Sequence, residues 1–85
     1  MEVYYYPSFL RQLKKLSKAV RETAIERTKV FQENPHNPQL KLHKLDGSLK
    51  GYWSFSVDYH HRIILEIRDN QVMFHFIGNH SIYQD

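Results

Sequence analysis

Apolar and polar residues change their rhythm along the chain, and each change marks an element. Residues 2–6 (Glu2, Val3, Tyr4, Tyr5, Tyr6) are rich in β-forming aromatics and stop at Pro7, which predicts a short first strand. Pro7 and Ser8 then suit the opening turn of a helix. Phe9, Leu10, Leu13 and Leu16 recur at helical spacing, with Lys and Arg between them. Ser17 marks a break or a fresh N-cap. Val20, Ala24, Thr28 and Phe31 form the inward face of a second helix, whose Glu22, Glu26 and Lys29 face water. Asn34-Pro35 ends it, because proline disfavours helical backbone in the residue before it.

Beyond residues 34–41, a loop by their Pro and Asn content, the period becomes two. Residues 42–45 form a brief extended segment leading into an Asp46-Gly47 turn. In 52–58, Trp53, Phe55 and Val57 alternate with Tyr52, Ser54, Ser56 and Asp58. In 62–68, Ile63, Leu65 and Ile67 oppose Arg62, Glu66 and Arg68. Asp69-Asn70 is a hairpin turn, and 72–77 is a last strand with Val72, Phe74 and Phe76 on one face and Met73, His75 and Ile77 on the other. The order β-α-α-β-β-β predicts one α+β domain over residues 1–85: a four-stranded antiparallel or mixed sheet with a two-helix hairpin packed on one face. Its core would join Trp53, Phe55, Ile63, Leu65, Phe74 and Phe76 to Leu10, Leu13, Val20, Ala24 and Phe31. The other face, with no second layer, would present Ser54, Ser56, Arg62, Glu66 and His75, with room beside them for the tail from His80 to Tyr83.

Composition sharpens this picture. With 41% hydrophobic, 14% aromatic and 25% charged residues, the 85-residue chain is globular. It has no cysteine, which excludes disulfides, a thiolate nucleophile and Cys-ligated zinc, and fits a reducing compartment. No run approaches a spanning helix and no charged leader precedes an apolar stretch, so a cytoplasmic protein without membrane association is expected. Residues 1–50 carry ten Lys/Arg against five acids, residues 51–85 two against four. Arg11, Lys14, Lys15, Lys18 and Arg21 all precede Glu22. This run is either the solvated face of an amphipathic helix or a field that attracts phosphate or an acidic partner.

Glycines at 47, 51 and 78 cannot build a phosphate loop, and no serine sits on a nucleophile elbow. The six histidines lack metal-ligand spacing, and neighbours such as His60 and His61 point to opposite faces of a strand, so no metal or cofactor is expected. RNA cleavage through the 2′-OH asks only for a base, an acid and a cation for the phosphate. Histidine serves either proton role near neutrality, and arginine's fork matches phosphate oxygens. Arg62, His80 and Tyr83 are the right types near one strand end. Each also has an ordinary reading: Arg62 as partner of Asp58 or Glu66, His80 as a cap, Tyr83 as a plug over the sheet. His43, Lys44, Lys50, Ser54, Ser56, His60 and His61 are candidate RNA contacts.

The segment with Leu45, Gly47, Gly51, Trp53 and Ser54, the step His61-Arg62-Ile63, and the stretch Gly78, His80 and Tyr83 resemble the RelE/ParE toxin superfamily, with the nearest likeness to its YoeB- and YafQ-like branches. The resemblance covers essentially the whole chain, and the element order is the same. It implies the toxin of a type II toxin–antitoxin pair: a metal-independent endoribonuclease cutting mRNA in the ribosomal A site and held by a cognate antitoxin. It assigns phosphate binding to Arg62 and proton transfer or base stacking to His80 and Tyr83. His43, ahead of the glycine turn, falls where such toxins often place a base or an additional contact. Where YoeB-like chains read Trp-Ser-Arg-Arg, this one reads Trp53-Ser54-Phe55-Ser56, without the basic pair. The same superfamily contains gyrase poisons of the ParE type, and a toxin fold that only binds RNA or antitoxin is the remaining alternative. One of Tyr4, Tyr5 and Tyr6 must lie on the exposed side of the first strand, where it would suit a partner contact.

Overall fold

A computed structural model describes residues 1–79. Strand β1 (Glu2–Tyr5) leads into helix α1 (Pro7–Lys15), whose Pro7 sits in the first turn, where a missing N–H costs nothing. Ser8 does not cap this helix. Its hydroxyl donates instead to the backbone carbonyl of His75, 2.7 Å away on the last strand. Ser17 is the N-cap of α2 (Lys18–Glu33), accepting from the N–H of Val20, and Asn34 closes that helix ahead of Pro35.

The loop that follows contains a 3-10 turn at Pro38–Leu40, which places Leu40 fully inside. Residues His43–Lys44 form β2, a two-residue strand paired antiparallel with β3 (Trp53–Ser56). A second 3-10 turn, Gly47–Leu49, joins them; Gly51 takes a φ of +99°, a conformation L side chains rarely adopt. β4 (His61–Arg68) and β5 (Gln71–Asn79) complete the hairpin, with Asp69 in the left-handed region at the turn.

The sheet has five strands in the order β1-β5-β4-β3-β2, with β1 parallel to β5 and every other pair antiparallel. The expected four strands become five because the brief extended segment at residues 43–44 pairs with β3. The α+β architecture stands as the sequence suggests.

Both helices cover one face of the sheet, and Phe9, Ala24, Phe31, Leu40, Phe55, Val57, Ile63, Leu65, Val72, Phe74 and Ile77 form the core. Ile77 stands where the alternation expected Phe76. Ile64 pairs with Phe76 but Leu65 with Phe74, so His75 is an extra residue in β5: a β-bulge. Beyond it the faces exchange, which turns Ile77 inward and leaves Phe76 on the outer face. Helix α1 satisfies the bulge backbone, since Gln12 accepts the N–H of Ile77 at 2.9 Å while Ser8 bonds to the His75 carbonyl. Leu10, expected inside, is 46% exposed on the helical flank.

Candidate functional site

The turn from β3 to β4 is braced from two sides. The Asp58 carboxylate accepts the backbone N–H groups of His60 and His61 at 2.9 and 2.8 Å, and its Oδ1 lies 2.9 Å from His61 Nδ1. Partial burial would raise the Asp58 pKa, but the His61 side chain and these N–H groups outweigh it and hold the carboxyl below its ordinary value. Helix α2 ties in through Arg27, whose Nε donates to the Val57 carbonyl at 3.2 Å.

Arg62 is the second brace. Its Nη1 donates to the backbone carbonyls of Asp58, His61 and Tyr59 at 2.8, 3.0 and 3.3 Å. The expected ionic partners do not hold it: it takes the carbonyl of Asp58, not the carboxylate, and Glu66 is engaged elsewhere. One guanidinium nitrogen is thus anchored, and the other two make no hydrogen bond among the described residues. Arg62 projects from the outer sheet face between Ser56 of β3 and Gly78 of β5, its cross-strand neighbours. A guanidinium anchored in this way suits a phosphate, because its position is settled before the anion arrives.

Gly78 precedes His80 by two positions, and His80 and Tyr83 lie outside the described residues. Of the other candidates, Ser56 is the β3 register partner of Arg62, and His60 and His61 belong to the turn that Arg62 braces. His43 is exposed and pairs across from Ser54 on the edge strand, its Nδ1 2.9 Å from the Lys41 carbonyl. Lys44 and Lys50 are elsewhere: both line a groove with Trp53 and Ile67 near the far end of β3, where the Lys44 ammonium lies 5.4 Å from the Trp53 ring centre.

Ser54 requires a correction. Its position on the outer face is as the alternation suggests, but it is fully buried, as is its partner Ile64, so it offers no surface to RNA. Its Oγ has no hydrogen-bond partner among the described residues. A buried hydroxyl without a partner costs about 1–3 kcal/mol. Ser54→Ala is therefore expected to leave the melting temperature unchanged or raise it by a few degrees, measured by thermal unfolding; a marked fall would show that the hydroxyl is bonded after all.

A second cluster on the outer face went unnamed among the candidates. His75 Nε2 lies 2.7 Å from Glu66 Oε1, and Arg68 Nη2 donates to the other oxygen, Oε2, at 2.8 Å. The imidazole is stacked on Tyr6 with centres 4.0 Å apart, and Tyr52 meets it edge-on at 5.1 Å. The sequence carries a trace of the bulge in Phe76-Ile77, two consecutive apolar residues in a strand of period two, but nothing local that joins His75 to Glu66, Tyr6 and Tyr52.

Burial would raise the Glu66 pKa, yet the His75 and Arg68 bonds prevail and lower it below its ordinary 4.5. A carboxyl lowered in the folded state gives stability that is fully present above about 4.5 and lost as pH falls through the folded value. The wild type is thus expected to melt above Glu66→Gln at pH 7, with the gap closing in acid, where both carry a neutral side chain. A gap independent of pH, in thermal melts from pH 3 to 7, would rule out this linkage.

Among the described residues, no three His, Asp or Glu side chains group as a metal ion would require, and no helix is long and apolar enough to cross a membrane. The fold is shared with solved toxins. The YafQ structure from E. coli BL21(DE3) superposes with a TM-score of 0.82 at 21% identity over 95% of this chain and 94% of that one. The RelBE2 toxin–antitoxin complex of Mycobacterium tuberculosis gives 0.77 at 18%, over 92% and 95%. The YoeB–YefM complex of Staphylococcus aureus gives 0.74 at 21%, over 94% and 97%. No curated protein matches by sequence. The family model for the ParE toxin of the type II toxin–antitoxin system, parDE, matches residues 3–82, nearly the full length, and the chain belongs to that toxin family.

Proposed function

We propose that this toxin is an endoribonuclease that cuts mRNA by attack of the 2′-OH on the adjacent phosphorus, in the ribosomal A site. The observation that carries the reading is Arg62: a guanidinium pinned through one nitrogen to the turn carbonyls, its other two making no hydrogen bond among the described residues, on the strand paired with the β5 end that precedes His80 in sequence. In this reaction the base takes the 2′-hydroxyl proton, the oxygen bonds to phosphorus, and the P–O5′ bond breaks as an acid protonates the leaving oxygen. The products are a 2′,3′-cyclic phosphate and a 5′-hydroxyl. Arg62 neutralises the extra charge on the pentacoordinate phosphate. His80 and Tyr83 supply proton transfer and stacking, and Ser56, His60 and His61 line the approach.

The partner is a cognate antitoxin. Two of the similar structures are toxin–antitoxin complexes. The helical flank here carries an open apolar groove lined by Tyr5, Leu10, Leu13 and Ile25, beside the run of Arg11, Lys14, Lys15, Lys18 and Arg21. An acidic amphipathic segment matches both features.

The test is primer extension on a defined mRNA with pure protein in EDTA, with and without translating ribosomes. Cuts at fixed codon positions only with ribosomes support the A-site reading; cuts without them support a free ribonuclease. The match to the ParE model favours a second reading, poisoning of DNA gyrase. Intact mRNA together with accumulated gyrase–DNA cleavage complexes would establish that one and exclude the first.

A further inference from the structure

The outer face of β1 and β5 carries a continuous row of rings. Tyr4 and Met73 are register partners, and Tyr4 is 54% exposed, a large ring open to solvent. It meets Tyr6 edge-on, centres 4.9 Å apart at 89°. Tyr6 lies nearly flat on His75 at 22°, and Tyr52 closes the row from the β3 side. The bond from Glu66 fixes the imidazole, so the row is held rigid at its centre. At its open end Tyr4, Tyr6, Met73, Gln71 and Glu2 line a groove of about 360 Å³, where Gln71 donates to the Glu2 carboxylate at 3.2 Å.

We propose that this row is a stacking subsite for single-stranded RNA, holding nucleotides next to the one bound at Arg62; the assignment rests on the ribonuclease reading. Bases stack on aromatic rings whatever their sequence, and each stacked base contributes about 1–3 kcal/mol. Arg62 and the exposed Arg68 stand at the two ends of the row, Glu66 between them is paired with Arg68 and His75, and Glu2, bonded to the neutral carboxamide of Gln71, keeps its charge at the rim of the groove. From Met73 to Gly78 the strand climbs roughly 13–16 Å at about 3.3 Å per residue, so the groove and Arg62 serve different nucleotides of one strand. The carboxamide of Gln71 and the carboxylate of Glu2 meet the edge of a base entering the groove.

The experiment uses a short RNA with 2′-O-methyl groups, which cannot be cut, and 2-aminopurine at successive positions. Wild-type protein is expected to quench the fluorophore at one or two positions. Tyr4→Ala should weaken binding about tenfold and abolish that quench, and Tyr4→Phe should stay within about twofold, because stacking needs the ring and not the hydroxyl. Tyr4 is exposed, so its loss leaves the fold intact. Absence of any quench in the wild type, or equal affinity of wild type and Tyr4→Ala, overturns the subsite. The latter result combined with a weaker hold on a protein partner reassigns Tyr4 to that partner. Because the blocked RNA is never cleaved, the two readings separate: a protein that cuts ordinary RNA but ignores Tyr4→Ala loses only the subsite, and one that stacks RNA through Tyr4 yet never cuts loses only the nuclease reading.

Discussion

Phe74→Ala is expected to lower the melting temperature by roughly 15–30 °C and leave little folded protein at 37 °C. Phe74 is fully buried at the centre of the core. Its ring contacts those of Tyr5, Phe9, Phe31 and Phe55, at centre distances of 5.2, 5.6, 5.9 and 6.2 Å. One side chain therefore joins β1, α1, α2 and β3. Truncating a buried Phe costs about 3–5 kcal/mol, the lost transfer energy plus the cavity. A domain of this length has only about 4–13 kcal/mol in total, and each kcal/mol moves the midpoint about 4–8 °C. Phe76→Ala supplies the internal comparison, because the bulge leaves that ring half-buried on the outer face; a much smaller fall is expected, whereas Ile77→Ala should cost more than Phe76→Ala. Thermal melts of the three variants check the ordering. Equal losses at 76 and 74 would mean that the strict alternation holds and His75 is no bulge.

That bulge marks the boundary of what could be read from the sequence. Periods of 3.6 and two gave the helices and the three long strands, because burial on one face writes itself into every second or third residue. Ala24, Thr28 and Phe31 lie inward as expected, as do Phe55, Ile63 and Leu65. The two-residue β2 was visible only as an extended segment, since a strand so short shows no alternation and pairing alone defines it. The bulge is invisible to a fixed period because it changes the period: its cause is non-local, with Ser8 and Gln12 on α1 capturing the backbone of residues 75 and 77. The same holds for the site. Arg62 was legible as a residue type in a motif, but its tie to three turn carbonyls depends on the fold of residues 58–61. Ser54 was misjudged because alternation predicts a face, and a residue on the outer face can still be closed to water. His75, Glu66, Tyr6 and Tyr52 come together from four segments, and no local pattern links them.

Arg62→Ala is expected to reduce RNA cleavage by about 100–1,000-fold while lowering the melting temperature by only a few degrees. The size follows from the worth of one preorganised donor to a developing oxyanion, about 3–4 kcal/mol. The small structural cost follows from its partners, since the carbonyls it releases lie in a surface turn where water replaces it, and Asp58 still holds the turn through the N–H groups of His60 and His61. Arg62→Lys distinguishes charge from geometry. An ammonium keeps the charge, but it cannot anchor one nitrogen to the carbonyls and present two others to a phosphate, so a rate nearer to alanine than to wild type is expected. Asp58→Asn approaches the same guanidinium from the other side of the turn. If the bracing matters, it should lower the cleavage rate less than Arg62→Ala and lower stability more. Initial rates on one RNA, with melts of the same preparations, read both effects. Arg62→Ala protein that is folded and cuts at the wild-type rate would remove Arg62 from the chemistry and leave it as the brace of a turn.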